Sequence, residues 1–202
     1  EQIVEHPSTD EMQENANVDG KSPLGKLNRL AGVAAKQMMQ DMLLSTEAKQ
    51  ALAENIIYIH DADYYVTGTT TCVQLPLGRL LQDGFTMAHG SIRPAQDIRS
   101  ALALAAIIMQ ANQNMQHGGQ SYPMFDFDLA PFVEKTFQRQ LKKIHDVVPK
   151  WSNRRKRAYA MSETYEMTYQ ACEAFIHNTN SMHSRGGGQV PFISINYGTD
   201  TS

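Results

Sequence analysis

Cysteine is scarce in this sequence. Cys72 and Cys172 are its two thiols in 202 residues, too few for a disulfide framework and without a partner at metal-ligand spacing. Long apolar runs are missing as well. No stretch approaches the roughly 20 apolar residues of a membrane span, and no apolar segment near the start marks export, so a cytoplasmic location is expected. Charge of one sign is not in excess either. Eighteen Lys and Arg against 21 Asp and Glu leave a net charge of −3, which excludes the strongly basic profile of a general nucleic-acid binder. There is no internal repeat and no low-complexity tract. Neither Gly118-Gly119 nor Gly186-Gly187-Gly188 has the Lys-Ser/Thr ending of a P-loop or the spacing of a dinucleotide fingerprint.

What is present is an ordinary globular composition, 42% hydrophobic, in a length that suits one sizeable domain. The chain starts at Glu1 without Met and ends at Ser202 directly after a strand-like run, which suggests an excerpt of a longer protein. Residues 1–20 are polar, with Glu, Asn and Asp but no apolar period, and read as a linker. Ser22-Pro23 is a helix start, and Leu24, Leu27, Leu30, Ala31, Ala34, Met38 and Met42 recur at helical spacing to about Leu44. Ser45 and Thr46 cap a second helix through Asn55; Ile56 to His60 is β-favouring.

Tyr64 to Leu75 has the Tyr, Val and Thr content of a strand, with Gly68 as a bend and Cys72 inside it. A buried helix is expected over Ile98 to Met115, stopping at Gly118-Gly119. Two more long helices follow, Asp126 to Val148 and Asn153 to Met182, the second with Ala158, Met161, Tyr165, Tyr169, Cys172 and Ile176 on one stripe. A strand from Gln189 to Tyr197 closes the chain. Strand, helices, strand is the order of a helical insertion between two strands of one sheet or barrel, so the class is α/β with helix dominant.

Cys72 is the first chemical candidate. A thiol in a Thr-rich strand near a glycine can face a pocket, although a free cysteine is more commonly a small buried hydrophobe. Cys172, on an apolar helix stripe, is structural by the same reasoning. His60-Asp61 could pair for proton handling, yet neighbours on a strand point to opposite faces, which favours a turn or surface role. Glu173 and His177 are four residues apart and His183 lies close by, but two ligands without a third make a weak metal site. Lys142, Lys143, Lys150, Arg154, Arg155, Lys156 and Arg157 form the one dense basic stretch; it suits phosphate groups at a helix start, or a solvated helix face.

Several longer words say more. Glu14-Asn15-Ala16-Asn17, Gly20-Lys21-Ser22-Pro23, Tyr58-Ile59-His60-Asp61 and Thr69-Thr70-Thr71-Cys72, then His117-Gly118-Gly119-Gln120-Ser121, Phe125-Asp126 and Arg185-Gly186-Gly187-Gly188-Gln189-Val190-Pro191-Phe192, follow in this order. The sequence thereby resembles the class III, anaerobic ribonucleoside-triphosphate reductases, which are glycyl radical enzymes, over nearly its whole length. The resemblance implies a fragment of a ten-stranded α/β barrel that reduces ribonucleoside triphosphates. In such enzymes a C-terminal glycyl radical, installed by an iron-sulfur, S-adenosylmethionine-dependent activating enzyme, generates a thiyl on a finger-loop cysteine, which takes hydrogen from ribose C3′. A second cysteine on the first barrel strand assists loss of the 2′-hydroxyl as water and hydrogen delivery to C2′. Cys72 looks like that second cysteine, which reverses the packing reading.

Thr70 should then share the face of Cys72, and Ser194 and Asn196, on one face of the closing strand, are further substrate contacts. The resemblance also implies a homodimer whose interface helices, here 94–116 and 126–148, bind dNTP or ATP effectors, with Lys142 and Lys143 meeting the phosphates. No cofactor is expected within residues 1–202. The ATP cone, the finger-loop cysteine, the radical glycine and a four-cysteine structural zinc module have no counterpart in this sequence, so residues 1–20 resemble the linker after the cone, 21–202 the first portion of the barrel, and the chain alone is expected to be inactive. Two alternatives stay open: a formate-lyase relative that shares the barrel, and a non-catalytic nucleotide-binding dimerisation module. Neither a nucleic acid nor a membrane is an expected partner.

Overall fold

The structure is a computed structural model that describes residues 22–87, 90–184 and 189–198; the expected linker over 1–20 and Gly186-Gly187-Gly188 lie outside them. The chain opens with α1, Pro23–Met38, whose first turn is capped by Ser22 accepting the Gly25 N–H at 3.0 Å, as a proline preceded by serine dictates. A π-helical turn, Met39–Leu43, continues it, and Ser45 caps α2, Thr46–Ala53. These two helices keep the boundaries that their caps announce.

The next segment departs from expectation. Ile56 to His60 forms no strand, and of Tyr64 to Leu75 only β1, Thr71–Gln74, is extended; before it come turns and a short 3-10 helix, Tyr65–Thr67, ended by Gly68 at φ 65°. Then follow α3, Leu77–Asp83, and a hairpin of β2, Phe85–Met87, with β3, Gly90–Ile92. The expected buried helix is α4, Ile98–Gln113. The chain does not enter a loop at Gly118-Gly119; it makes β4, His117–Tyr122. Two long helices, α5, Phe125–Val147, and α6, Asn153–Ser181, lead to β5, Ile193–Ile195.

β4 is the central strand of a parallel sheet in the order β1-β4-β5, with helices in each crossover as parallel pairing requires. The fold is therefore mixed α/β, helix-rich, around a small parallel sheet. Its register sorts side chains by face. Val73, Gln120 and Ile193 stand in one row and turn toward the helices, since Val73 and Ile193 pack on the core and the buried Gln120 donates to the Met109 carbonyl of α4 at 2.8 Å. The next row, Gln74, Ser121 and Ser194, consequently faces away from the helices.

The core lies between the sheet, α4, α5 and α6, with Leu77, Leu81, Ile98, Leu102, Met109, Tyr122 and Phe132 fully buried; each such side chain contributes roughly 1.5–3 kcal/mol by leaving water. Polar groups inside are matched. Tyr122 donates to the Ala105 carbonyl at 2.7 Å, and burial pushes its hydroxyl pKa up, so it stays a neutral donor. Thr136 of α5 accepts the Ile98 N–H at the start of α4. Asp97 caps the same helix with Ser100 in a capping box and pairs with Arg139 at 2.6 Å.

Apart from Cys172, the expected stripe on α6 points the other way. Met161, Tyr165, Tyr169 and Ile176 are exposed, and the buried side is Ala160, Thr164, Ala171 and Phe175. Small residues let α4 and α5 approach α6 closely, so close packing, and not residue size, selects the buried face.

Candidate active site

The segment before β1 lies against α1, with Asp63 close to Gly32, and is contacted along its length by one residue of β4. His117 is only 8% exposed, and its ring stacks on Tyr64 with centroids 4.5 Å apart and planes 5° from parallel. Its Nδ1 is 2.6 Å from Thr69 Oγ1, its Nε2 is 3.5 Å from Asp61 Oδ2, and its backbone N–H donates to the Thr70 carbonyl at 3.2 Å. Asp61 Oδ2 also lies 2.6 Å from His60 Nδ1. His60 and Asp61 sit in a turn, as expected, with Asp61 at φ 49°, and there the two side chains can meet because strand alternation does not apply.

Cys72 follows directly. It is exposed, and its φ of 50° places it in the left-handed region, which costs an L residue about 1–2 kcal/mol. The β1–β4 ladder shifts register between Thr71 and Val73, so Cys72 occupies a bulge. Opposite it, Gly118 has φ 82°, and a Cβ there would meet Thr71 Oγ1 at 2.9 Å, Cys72 Sγ at 3.0 Å and Cys72 N at 3.1 Å. Glycine is required twice over at this position, by its conformation and by the approach of the thiol. Thr71 Oγ1 donates to Cys72 Sγ at 3.7 Å.

The alternation that placed Thr70 on the face of Cys72 is interrupted by this bulge; Thr70 precedes β1, and its carbonyl is committed to His117. Ser194 and Asn196 are both exposed on the side of β5 away from Ile193 and Ile195. The end of β5 is tied down, with the Phe125 N–H donating to the Asn196 carbonyl at 2.8 Å and the Gly198 N–H to Asp126 Oδ2 at 2.8 Å. The bond from Gly198 in particular holds the Asp126 carboxyl below its usual pKa. The open face of the sheet thus carries Gln74, Ser121, Ser194 and Asn196 beside a thiol held in strained backbone.

Other candidates lie elsewhere. Cys172 packs against the core and burial raises its pKa, as a structural thiol requires. No three His, Cys, Asp or Glu side chains that could hold a metal come together among the described residues, so Glu173, His177 and His183 make no centre. Part of the basic stretch is used inside the α5–α6 hairpin: Lys156 is buried and donates to the Pro149 carbonyl at 3.0 Å, Arg155 lies 4.0 Å over the Trp151 ring and Arg157 5.4 Å over Phe137. Lys142 and Lys143 are exposed on α5. No helix among the described residues is long and apolar enough to cross a membrane.

Residues 14–202 match the family described as anaerobic ribonucleoside-triphosphate reductase. The chain belongs to this family. It is 29% identical over 202 residues to the anaerobic ribonucleoside-triphosphate reductase of Enterobacteria phage T4, covering all of this chain and 32% of that protein. To the protein of the same name from Escherichia coli it is 30% identical over 201 residues, covering 99% of this chain and 28% of the relative; to that of Haemophilus influenzae, 27% over 203 residues, again 28% of the relative. The chain therefore spans about 28–32% of the length of these reductases. Composition and spacing passed over three residues that shape the surroundings of Cys72, His117, Gly118 and Tyr64, and the His117-Gly118-Gly119-Gln120-Ser121 word was the one pointer to the first two.

Proposed function

We propose that this chain is the portion of an anaerobic ribonucleoside-triphosphate reductase that presents a substrate-facing thiol, Cys72, in an enzyme converting ribonucleoside triphosphates to deoxyribonucleoside triphosphates. The observation that carries the reading is the geometry at Cys72: an exposed thiol on the first strand of a parallel sheet, in left-handed backbone, with Gly118 supplying the space behind it. Strain of this kind persists where the surroundings over-determine it, commonly at functional sites. A rigid strand also suits a group that must meet one ribose carbon.

Cys72 would give its one thiol proton to the departing 2′-hydroxyl, which leaves as water, while the hydrogen and the two electrons that C2′ gains come from the enzyme's electron donor, formate or a thioredoxin-type dithiol; Ser194 and Asn196, and Thr70 at the mouth of the bulge, orient the sugar. The glycyl radical and its activating enzyme would supply the initial hydrogen abstraction, and the exposure of the thiol fits a reacting group brought by another part of the enzyme. A complete ten-stranded barrel would close over that face, and a structural zinc would use side chains outside the described residues.

Effector control and a homodimer form the second part of the reading. α4 is core along most of its length, with Ile98, Leu102, Ala105 and Met109 buried, so of the expected interface helices α5 has the freer surface, joined by the exposed Tyr165, Tyr169 and Met161 of α6. Lys142 and Lys143 on α5 would meet effector phosphates.

The test is Cys72→Ala in the intact reductase. Loss of turnover with effector binding retained supports the reading; retained turnover overturns it and leaves a nucleotide-binding dimerisation module. Loss of dNTP affinity in a Lys142→Ala, Lys143→Ala double variant supports the effector assignment, and unchanged affinity removes it.

A further inference from the structure

Two of the three non-glycine residues in left-handed backbone among the described residues, Asp61 and Cys72, flank a single segment, and one side chain touches that segment along most of its length. His117 meets Asp61, Tyr64 and Thr69 through its ring, meets Thr70 through its N–H, and is the register partner of Thr71. A fully hydrated loop would relax from both strained conformations, so something must hold them. Val73, the residue after Cys72, packs on the core, but in the turns before β1 no apolar residue is fully buried, so residues 61–71 depend on directional contacts more than on the core.

We propose that His117 is a positioning residue for the Cys72 thiol: its ring clamps residues 61–71 and thereby sets the left-handed conformation that seats Cys72 Sγ over Gly118. This rests on the reading of Cys72 as a reacting thiol, and adds to it a reason why the thiol stands where it does. The clamp has three independent holds. Stacking on Tyr64 fixes the plane of the ring, the Thr69 contact fixes its rotation, and Asp61, itself paired with His60, closes the far edge. His60 is 79% exposed, so the row His60-Asp61-His117-Thr69 runs from the surface to the segment that ends at the thiol. The charged and titratable groups facing His117 are Asp61 and Tyr64 from the turns, with His60 behind Asp61. Gly118, the next residue in the chain, turns the same strand into the floor under Cys72, so clamp and floor move as one piece.

The consequence is kinetic. Displacing a reacting group by about 1 Å can lower a rate on the order of a hundredfold without touching substrate affinity. The test uses the intact reductase carrying His117→Ala, with two readouts. In the unactivated enzyme, the iodoacetamide alkylation rate of Cys72 is measured by peptide mass spectrometry, with Cys172 as internal reference. In the activated enzyme, kcat and KM are separated. Release of the clamp should raise the Cys72 alkylation rate at least fivefold relative to Cys172, and lower kcat at least tenfold with KM within twofold. His117→Asn, which keeps a polar nitrogen for Thr69, should recover part of both, and Tyr64→Leu, which removes the stack from a half-buried position, should give the same trend more weakly should His117→Ala fail to fold. Equal acceleration of Cys72 and Cys172 would mean general loosening and would overturn the proposal, as would lost turnover with unchanged Cys72 alkylation. Faster Cys72 alkylation with undiminished kcat would leave the clamp standing and remove Cys72 from the reaction.

Discussion

The helical half of this molecule and the strand that carries Cys72 are stabilised by different means. Around α4, α5 and α6 every device is regular: caps at Ser152 and Asp97, buried Leu, Ile and Phe, and polar groups such as Thr136 and Tyr122 matched to specific carbonyls and amides. Around Cys72 there is little apolar burial. A stacked histidine, a bulge and two left-handed residues take its place. The first region spreads its stabilisation over many close-packed contacts, with a driving force proportional to buried area. The second specifies one geometry through a few directional contacts, which suits a group whose position matters more than its contribution to stability.

Substitutions separate the two regions. Phe132→Ala, in the fully buried core, should cost about 3–5 kcal/mol, read as a lower urea midpoint by circular dichroism, with the Cys72 alkylation rate of the remaining folded protein unchanged. A change in that rate would mean the regions are coupled. Gly118→Ala should do the reverse. A Cβ 3.0 Å from Cys72 Sγ at φ 82° forces a shift costing about 1–3 kcal/mol, and the intact enzyme should lose far more turnover than stability; an equal loss of both would place the residue with the core.

Asp97→Ala removes a capping box and the Arg139 pair, for about 1–2 kcal/mol. Burial works against the charged form of Asp97, but the bonds from Ser100 and the charge of Arg139 outweigh it and hold the carboxyl below its usual pKa. A depressed folded-state pKa means that the stabilisation is complete above the ordinary carboxylate value of about 3.9 and fades as pH falls through the folded value. The stability gap between the native chain and Asp97→Asn should therefore shrink in acid; a gap constant from pH 7 to pH 3 would show that the charge contributes nothing. Smallest of all, Arg155→Ala at the partly exposed Trp151 stack should cost no more than about 1 kcal/mol and leave both thiols unaffected.

This division also explains what the sequence could disclose. Helix starts at Ser22-Pro23 and Ser45, and the lengths of α4, α5 and α6, follow from local chemistry and were legible. β4 was not, because glycine disfavours strands and Gly118-Gly119 reads as a stop; only the approach of Cys72 and of Phe192, whose ring lies 3.0 Å from a Cβ at Gly119, shows why glycine belongs in a central strand. Nor could spacing pair His117 with Thr69, 48 residues away. The buried face of α6 was misjudged because large residues signal burial in isolation, whereas tight helix contact demands Ala160 and Ala171. The word around His117 and the one ending in Cys72 pointed to the candidate site through resemblance, without its geometry.

The single tryptophan of the sequence, Trp151, sits at the tip of the α5–α6 hairpin between the guanidinium of Arg155 and the edge of Tyr159, 5.9 Å away by ring centroids. Indole emission from this chain is thus a reporter on one corner of the molecule. A spectroscopist following unfolding at that wavelength would watch two helices part, and see nothing of whether the thiol at the other end of the architecture had already lost its seat.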